Sequence, residues 1–269
     1  MKNLILKYGN EIKSYVIEGD CITGKDIVLL DEDDDLTAHS TLSDEGFGVF
    51  DFIPQIDFNK LHTGISNLIA GNLGIREENF SLEKYHNYVT DDGHLKITQF
   101  LKNCLPIENF PIDHHLILDR IGEILGFPVT LLNKYSSEIY PMFCLRIVRP
   151  MRGDNNPLHR DVWLDRLRHA INIYAPIAGS DENSSLALVP TSHRWMESEI
   201  ERTSEGATVD GVRFTVPAVT ATDRPLHLIR PSPKSNEFML FSPYLIHGGG
   251  INQNIDITRV SLEMRFWRK

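Results

Sequence analysis

The chain has 269 residues, with 27 basic against 37 acidic side chains and a net charge of −10. Charged residues make up 24%, and with Gly counted and Tyr left out the apolar fraction is about 45%, both ordinary for a globular protein. This excludes a disordered chain, a collagen-like fibre and a disulfide scaffold, and the acidic balance disfavours nucleic acid or an anionic membrane as partner.

The opening stretch MKNLILKYGNEIK holds a four-residue apolar patch cut off by Lys7 and does not read as a secretory signal. Cys21, Cys104 and Cys144 are far apart, odd in number and without a CxxC, which fits free thiols in a reducing compartment. No apolar run approaches the ~18 residues of a membrane helix. A soluble, cytoplasmic protein is expected. The acidic run at 31–35 lacks the spaced ligands and turn glycine of a calcium loop, so it reads as a solvated loop.

The first 130 residues lean helical. Segment 57–73 places apolar residues at 58, 61, 65, 68, 69 and 73, a helical stripe with Asp57 as N-cap. A shorter helix is expected over 92–103, and another over 112–125, stopped by Gly126 and Pro128. From residue 128 the texture changes to short apolar runs between turn residues: VTLLNKY, FCLRIVR, HAINIYAPI, SSLALV, GVRFTV, PLHLI, NEFMLFS and TRVSLEMRF. No helix-length pattern separates them, which argues for an antiparallel, jelly-roll-like sandwich or barrel. Residues 196–235 are polar and turn-rich, the composition of a loop or lid inserted in that core, with a short surface helix at 197–205 as the alternative. The whole reads as one domain, 1–269, with a helical N-terminal elaboration (1–127) and a β core (128–269).

Most of the 11 histidines carry no pattern. His114 and His115 sit on the third helix and read as surface or packing residues; His39, His62, His86 and His94 have no partner motif. His159 is different, because it forms His159-x-Asp161, and on a strand residues i and i+2 share a face. Composition alone yields about 0.8 such pairs by chance, so the motif gains weight only together with residues further along the chain. His247 lies at a strand end before three glycines. Twelve residues on comes Arg259, with Ser261 on the same face of TRVSLEMRF. Two His and one carboxylate with open positions are the ligand set of mononuclear non-haem Fe(II) oxygenases. An Arg fork suits a buried carboxylate, and Ser261 can add a hydroxyl bond.

The order His-x-Asp, His, Arg-x-Ser resembles an Fe(II)/2-oxoglutarate-dependent dioxygenase of the phytanoyl-CoA dioxygenase-like family. The resemblance is carried by LRIVRPMRGDNNPLHRD (145–161), SSLALVPTSHRW (184–195) and NEFMLFSPYLIHGGGINQNIDITRVSLEMRFW (236–267). DEGFGVFDFI (44–53) is a weaker echo, and Thr191 stands where Gly is usual. The resemblance implies a mostly β chain with N-terminal helices and a double-stranded β-helix (jelly roll, cupin-like) core. It implies His159, Asp161 and His247 as Fe(II) ligands, and Arg259 with Ser261 on the distal carboxylate of 2-oxoglutarate. It implies dioxygen (O2) at the remaining position, decarboxylation to succinate, and hydroxylation of a small or medium-sized polar molecule. Halogenating relatives carry a small residue in place of the ligand carboxylate, so Asp161 favours hydroxylation or a related oxidation.

Further candidates surround this set. Arg146 shares a strand face with Cys144 and Val148; it is either a cosubstrate contact or a snorkelling edge residue. Asn172 and Tyr174 share a face, either meeting the ligand or forming a buried hydrogen-bonded pair. Trp163 walls the substrate site or packs at the rim. Arg152 and Asn155, in the loop before His159, are substrate candidates. With Arg149 and Asn156 they favour a polar, anionic substrate. His193 reads as a support for the site, not a ligand. Two alternatives stay open: a cupin-like metalloenzyme without 2-oxoglutarate, and a non-catalytic jelly-roll binding protein. Arg259-x-Ser261 argues against the first and the intact triad against the second.

Overall fold

The computed structural model describes residues 1–269 except 9–10, 31–34, 43, 103–104, 134–141, 155 and 249. The chain starts with strands, not with the helical lean expected of its first 130 residues. β1 (Lys2–Tyr8) and β2 (Glu11–Glu18) pair antiparallel, and β3 (Cys21–Thr23) comes next. Leu4 and Leu6 are buried while Ile5 between them is 66% exposed. That is period-two burial, which only a strand with one covered face produces.

β4 (Phe47–Asp51) leads into the helices: α1 (Gln55–Leu73), α2 (Asp91–Lys102) and α3 (His115–Leu125). Between α2 and α3 lies the two-residue β5 (Leu105–Pro106). All three helices stand where the apolar stripes put them. Asp57 is not the N-cap of α1. Pro54 is, its fixed φ starting the helix earlier, and Asp57 sits in the first turn, bonded to Lys60. Gly74 (φ 67°) and Gly126 (φ 77°) end α1 and α3 in the left-handed conformation that glycine adopts freely.

The rest is β. β6 (Val129–Thr130), β7 (Met142–Val148) and β8 (Ala170–Ala178) precede β9 (Ile200–Thr203), β10 (Ala207–Val209), β11 (Val212–Phe214) and β12 (Val219–Thr222). β13 (His227–Leu228), β14 (Glu237–Phe241) and β15 (Arg259–Arg268) complete the chain. The main sheet runs β4-β14-β8-β15-β7-β5, with β6 on β15. Opposite it stand main-chain bridges His159–His247, Leu188–His247 and Leu188–Ile229. These two layers form the double-stranded β-helix. Segment 184–189, expected as a strand, contributes only bridges. Of VTLLNKY only Val129–Thr130 is strand, and its last two residues lie outside the described ones.

The stretch 196–235 is not a loop. β9 pairs with β3 and β12, and β10 pairs with β2 and β11. β13 lies parallel beside β1. The N-terminal hairpin supplies partners that no nearby sequence supplies, which is why a polar composition folds here as sheet. Residues 197–205 form no helix beyond one 3-10 turn, Glu197–Glu199, and β9 begins at once after it.

The main sheet has two different faces. Phe143, Leu145 and Ile147 of β7, Ile171 and Ile173 of β8, Phe238 and Leu240 of β14, and Leu262 and Phe266 of β15 join one cluster with Leu61, Ile65, Ile117 and Ile121. The helices therefore cover the outer face, and the alternate residues are left for the interior. Val260 pairs with Ala178 but Ser261 with Pro176, so Ile177 is a bulge. Just beyond it Gly179 turns the chain at φ 63°, where an added Cβ would lie 2.1 Å from the Thr258 carbonyl oxygen. Gly179→Ala is expected to lower the unfolding free energy by about 1–3 kcal/mol. Urea denaturation checks this, and an unchanged midpoint would show that the turn relaxes.

Candidate metal centre

The interior residues of β15 are polar at every second position: Arg259, Ser261, Glu263 and Arg265. Across the ladder Arg265 stands opposite Asn172, Glu263 opposite Tyr174, and Ser261 opposite Arg146. Phe241 of β14 pairs with Asn172 from the other side. The facing layer brings in His159 and His247 through their bridge.

His159, Asp161 and His247 converge, their ligand atoms all within 4.8 Å of one another and all three residues buried. His159 Nε2 lies 3.3 Å from Asp161 Oδ1. Asp161 is not on the strand with His159, as the spacing suggests. It opens a 3-10 turn, Asp161–Trp163, which carries its side chain to the same point. The backbone fixes the imidazoles. His159 Nδ1 donates to Pro157 O at 2.8 Å and His247 Nδ1 to Leu245 O at 2.9 Å. A carbonyl only accepts, so both rings carry their proton on Nδ1 and turn bare Nε2 atoms toward Asp161. His159 Nε2 is buried with no hydrogen-bond partner among the described residues. Two imidazole nitrogens and a carboxylate oxygen with one nitrogen left orphaned fit a divalent transition metal with open positions.

The carboxylate is held just as firmly. Asn172 Nδ2 donates to Asp161 Oδ2 at 2.9 Å, Arg265 Nε to the same oxygen at 3.0 Å, and Arg265 Nη2 to Oδ1 at 3.2 Å. Burial opposes its ionisation, but the charge of Arg265 holds Asp161 well below the usual carboxylate range. Between the two motif residues, Arg160 points the other way. It bonds the Glu197 carboxylate and the carbonyl oxygens of Ser192 and Trp195, and it is fully buried.

Arg259 is 1% exposed, and none of its three guanidinium nitrogens has a hydrogen-bond partner among the described residues. Its guanidinium lies 5.4 Å from the centre of the Tyr174 ring, and the Glu263 carboxylate comes no closer than 3.9 Å. Ser261 is buried beside it and approaches Glu263 at 3.4 Å. Glu263 also faces Arg146, Oε2 to Nε 3.5 Å. The cavity at the metal cluster is lined by Arg146, Asn156, Asn172, Phe241, Glu263 and Arg265 among others.

The remaining candidates fall elsewhere. Arg152 is half exposed and pairs with Asp91, and Arg149 bonds Asp154 and Asp91. Trp163 donates to Glu197 and carries Arg202 on its ring. Tyr174 bonds Ser180 and packs among Met239, Phe241 and Leu186. His193 is buried beneath Gly46. None of these five lines the metal cavity. Asn155 lies outside the described residues. Sequence reasoning missed Arg265, Glu263 and Arg160. The first two had a signal, the period-two continuation of Arg259 and Ser261; Arg160 had none, since its partners come from 30 residues on.

The fold is a cupin-like double-stranded β-helix, and the site is a buried cluster of two histidines and one carboxylate. No family model matches the chain, and no curated protein matches it. Among solved structures, ThoJ, described as a non-haem monooxygenase, aligns with a TM-score of 0.50 and 12% identity over 84% of this chain and 75% of its own. EctD from S. alaskensis with bound Fe aligns with a TM-score of 0.49 and 15% identity over 94% and 84%. AviO1 from Streptomyces viridochromogenes Tue57 gives 0.49 and 15% over 90% and 96%. At 12% identity the ThoJ alignment speaks to the fold alone. Among the described residues no helix is long and apolar enough to cross a membrane.

Burial, with His159 beside it, pushes His247 down to about 4. The unfolded chain binds that proton near pH 6.5. The metal-free protein is therefore expected to keep this contribution in full above pH 6.5 and lose it as pH falls toward 4, by about 1.4 kcal/mol per unit. Asp161 adds nothing to this window, because its unfolded pKa lies near 3.9. Urea titrations from pH 7 to 5 check the slope. His247→Gln should remove about one proton from it, and an unchanged slope would refute the buried neutral histidine.

Proposed function

We propose that the chain is an Fe(II)- and 2-oxoglutarate-dependent oxygenase that hydroxylates a small or medium-sized polar molecule. The carrying observation is Arg259: a fully buried guanidinium with no hydrogen-bond partner among the described residues, in the same barrel interior as a complete metal triad. Buried guanidinium N–H groups without a hydrogen bond are costly, and a ligand carboxylate on two parallel N–H groups removes that cost. Ser261 adds a hydroxyl donor. Within this class the motifs favour the phytanoyl-CoA dioxygenase-like branch.

His159, Asp161 and His247 would hold the metal. Fe(II) bound there with 2-oxoglutarate and O2 supplies the oxidising power for hydroxylation of an aliphatic C–H bond, with succinate and CO2 as co-products. The residues of the chain do the rest. Pro157 and Leu245 carbonyls keep the imidazoles in the binding tautomer. Arg265 and Asn172 keep Asp161 ionised and leave its Oδ1 facing His159. Arg259 and Ser261 orient the cosubstrate by its distal end. Phe241, Leu186 and Met264 line the cavity with apolar surface and limit water.

A second reading has an observation in its favour. Glu263 is already a carboxylate near Arg259, as an enzyme without cosubstrate would need. Anaerobic addition of Fe(II) and then 2-oxoglutarate separates the two. A weak visible charge-transfer band appearing only with both supports the cosubstrate; iron binding without the band supports the second reading. Arg259→Ala is expected to raise the apparent KM for 2-oxoglutarate by about 10–100-fold, the loss of a charge-assisted pair, with Fe(II) binding kept. His159→Ala should lose both. Normal 2-oxoglutarate binding by Arg259→Ala would refute the assignment.

A further inference from the structure

The cavity at the metal cluster has a volume of about 30 Å³, room for one or two waters. A second cavity, about 180 Å³, lies between the N-terminal hairpin and the loop that leads to His159. Leu6 of β1, Ile17 of β2, Val209 of β10, Phe214 of β11 and Leu158 of the metal motif line it. These residues belong to the second apolar core of the protein, inside the layer built by residues 1–23 and 200–228. Lys and Arg are absent from the described lining, and Asp210, whose carboxylate accepts the Val16 N–H, is the one ionisable carboxylate there.

Its position gives this cavity meaning. Asn156 lines both cavities. The next residue, Pro157, lines the apolar one and supplies the carbonyl that fixes His159. Leu158 comes after it and leads directly into the ligand. One stretch of backbone therefore separates an apolar pocket from the metal cluster, with an amide side chain at the junction. The two sides differ in chemistry: Arg146, Glu263 and Arg265 on the metal side, aliphatic and aromatic carbon on the other. A mostly apolar concavity with few polar groups is the usual form of a small-molecule site. A cavity of about 150 Å³ takes benzene, so this one takes a ring or branched alkyl group of about six to eight carbons.

We propose that this pocket binds the apolar end of the substrate, the polar end lying at Asn156 and the metal cavity. The substrate class is then an amphipathic small molecule carrying one aromatic ring or branched alkyl group. The proposal rests on the oxygenase reading for the word substrate, and the test keeps the two apart.

Toluene is the probe, and methyl NMR of the metal-free protein is the first readout. Toluene is expected to shift the methyls of Leu6, Leu158 and Val209 saturably, while those of Ile117 and Ile121 under α3 stay still. Val209→Phe fills the pocket and should abolish the shifts. Val209→Ala, which removes bulk only, should keep them and admit p-xylene. Absent shifts in the wild type, or shifts that survive in a folded Val209→Phe protein, overturn the pocket. The second readout uses Mn(II)-loaded protein, with bound Mn(II) followed by electron paramagnetic resonance. The relaxation rate of toluene protons should rise at least twofold over the Zn(II)-loaded sample and lose that rise in Val209→Phe. Bound Mn(II) with no effect on toluene overturns the link between pocket and metal. No bound Mn(II) overturns the metal reading instead, while the methyl shifts still decide the pocket.

Discussion

The site depends on one buried carboxylate kept charged. Asp161 is 1% exposed, and an ionised carboxylate without partners would not persist at such a depth. It persists because two strands of the main sheet deliver a guanidinium and an amide to it. β15 brings Arg265 and β8 brings Asn172, and the two stand opposite each other in the ladder. The register of β15 on β8 thus sets the charge of Asp161. A slip of one residue would turn Arg265 into the helix-covered core and Phe266 into the site.

The same alternation explains how much was legible. The three helices and the strands 143–148, 170–178, 237–241 and 259–268 could be seen because their apolar residues repeat at 3.6 or 2. The triad could be seen because ligand chemistry restricts it to a few residue types. Other features depend on distant partners. β1 carries its alternation on only two buried leucines, and its neighbour β13 arrives over 200 residues later. The polar composition of 196–235 suggests a loop, since β9 and β10 become strands only when β3 and β2 lie beside them. Arg265 was legible in principle: the period that pairs Arg259 with Ser261 continues to Glu263 and Arg265. Asp161 shows the opposite case: it meets His159 and His247 through a 3-10 turn, where the spacing suggests a strand.

Charge is distributed by layer. The chain is acidic as a whole, yet three arginines, Arg146, Arg259 and Arg265, face the interior of the barrel with two carboxylates, Asp161 and Glu263, between them. This local excess of positive charge suits anionic ligands that the outer surface repels. The exterior field and the barrel interior therefore differ in sign of charge.

The anchor of Arg160 has a consequence for the order of folding. Arg160 lies in sequence between His159 and Asp161, and its guanidinium is pinned on Glu197, whose carbonyl oxygen accepts the Gly24 N–H at 3.3 Å. The strands after Glu197 add to the N-terminal hairpin, and β1 meets β13 through Lys7 and His227. Contacts between residues 7 and 227 close nearly the whole chain into a loop, among the slowest kinds of pairing to form. During synthesis the outer edge of β1 must wait unpaired until the residues of β13 have emerged.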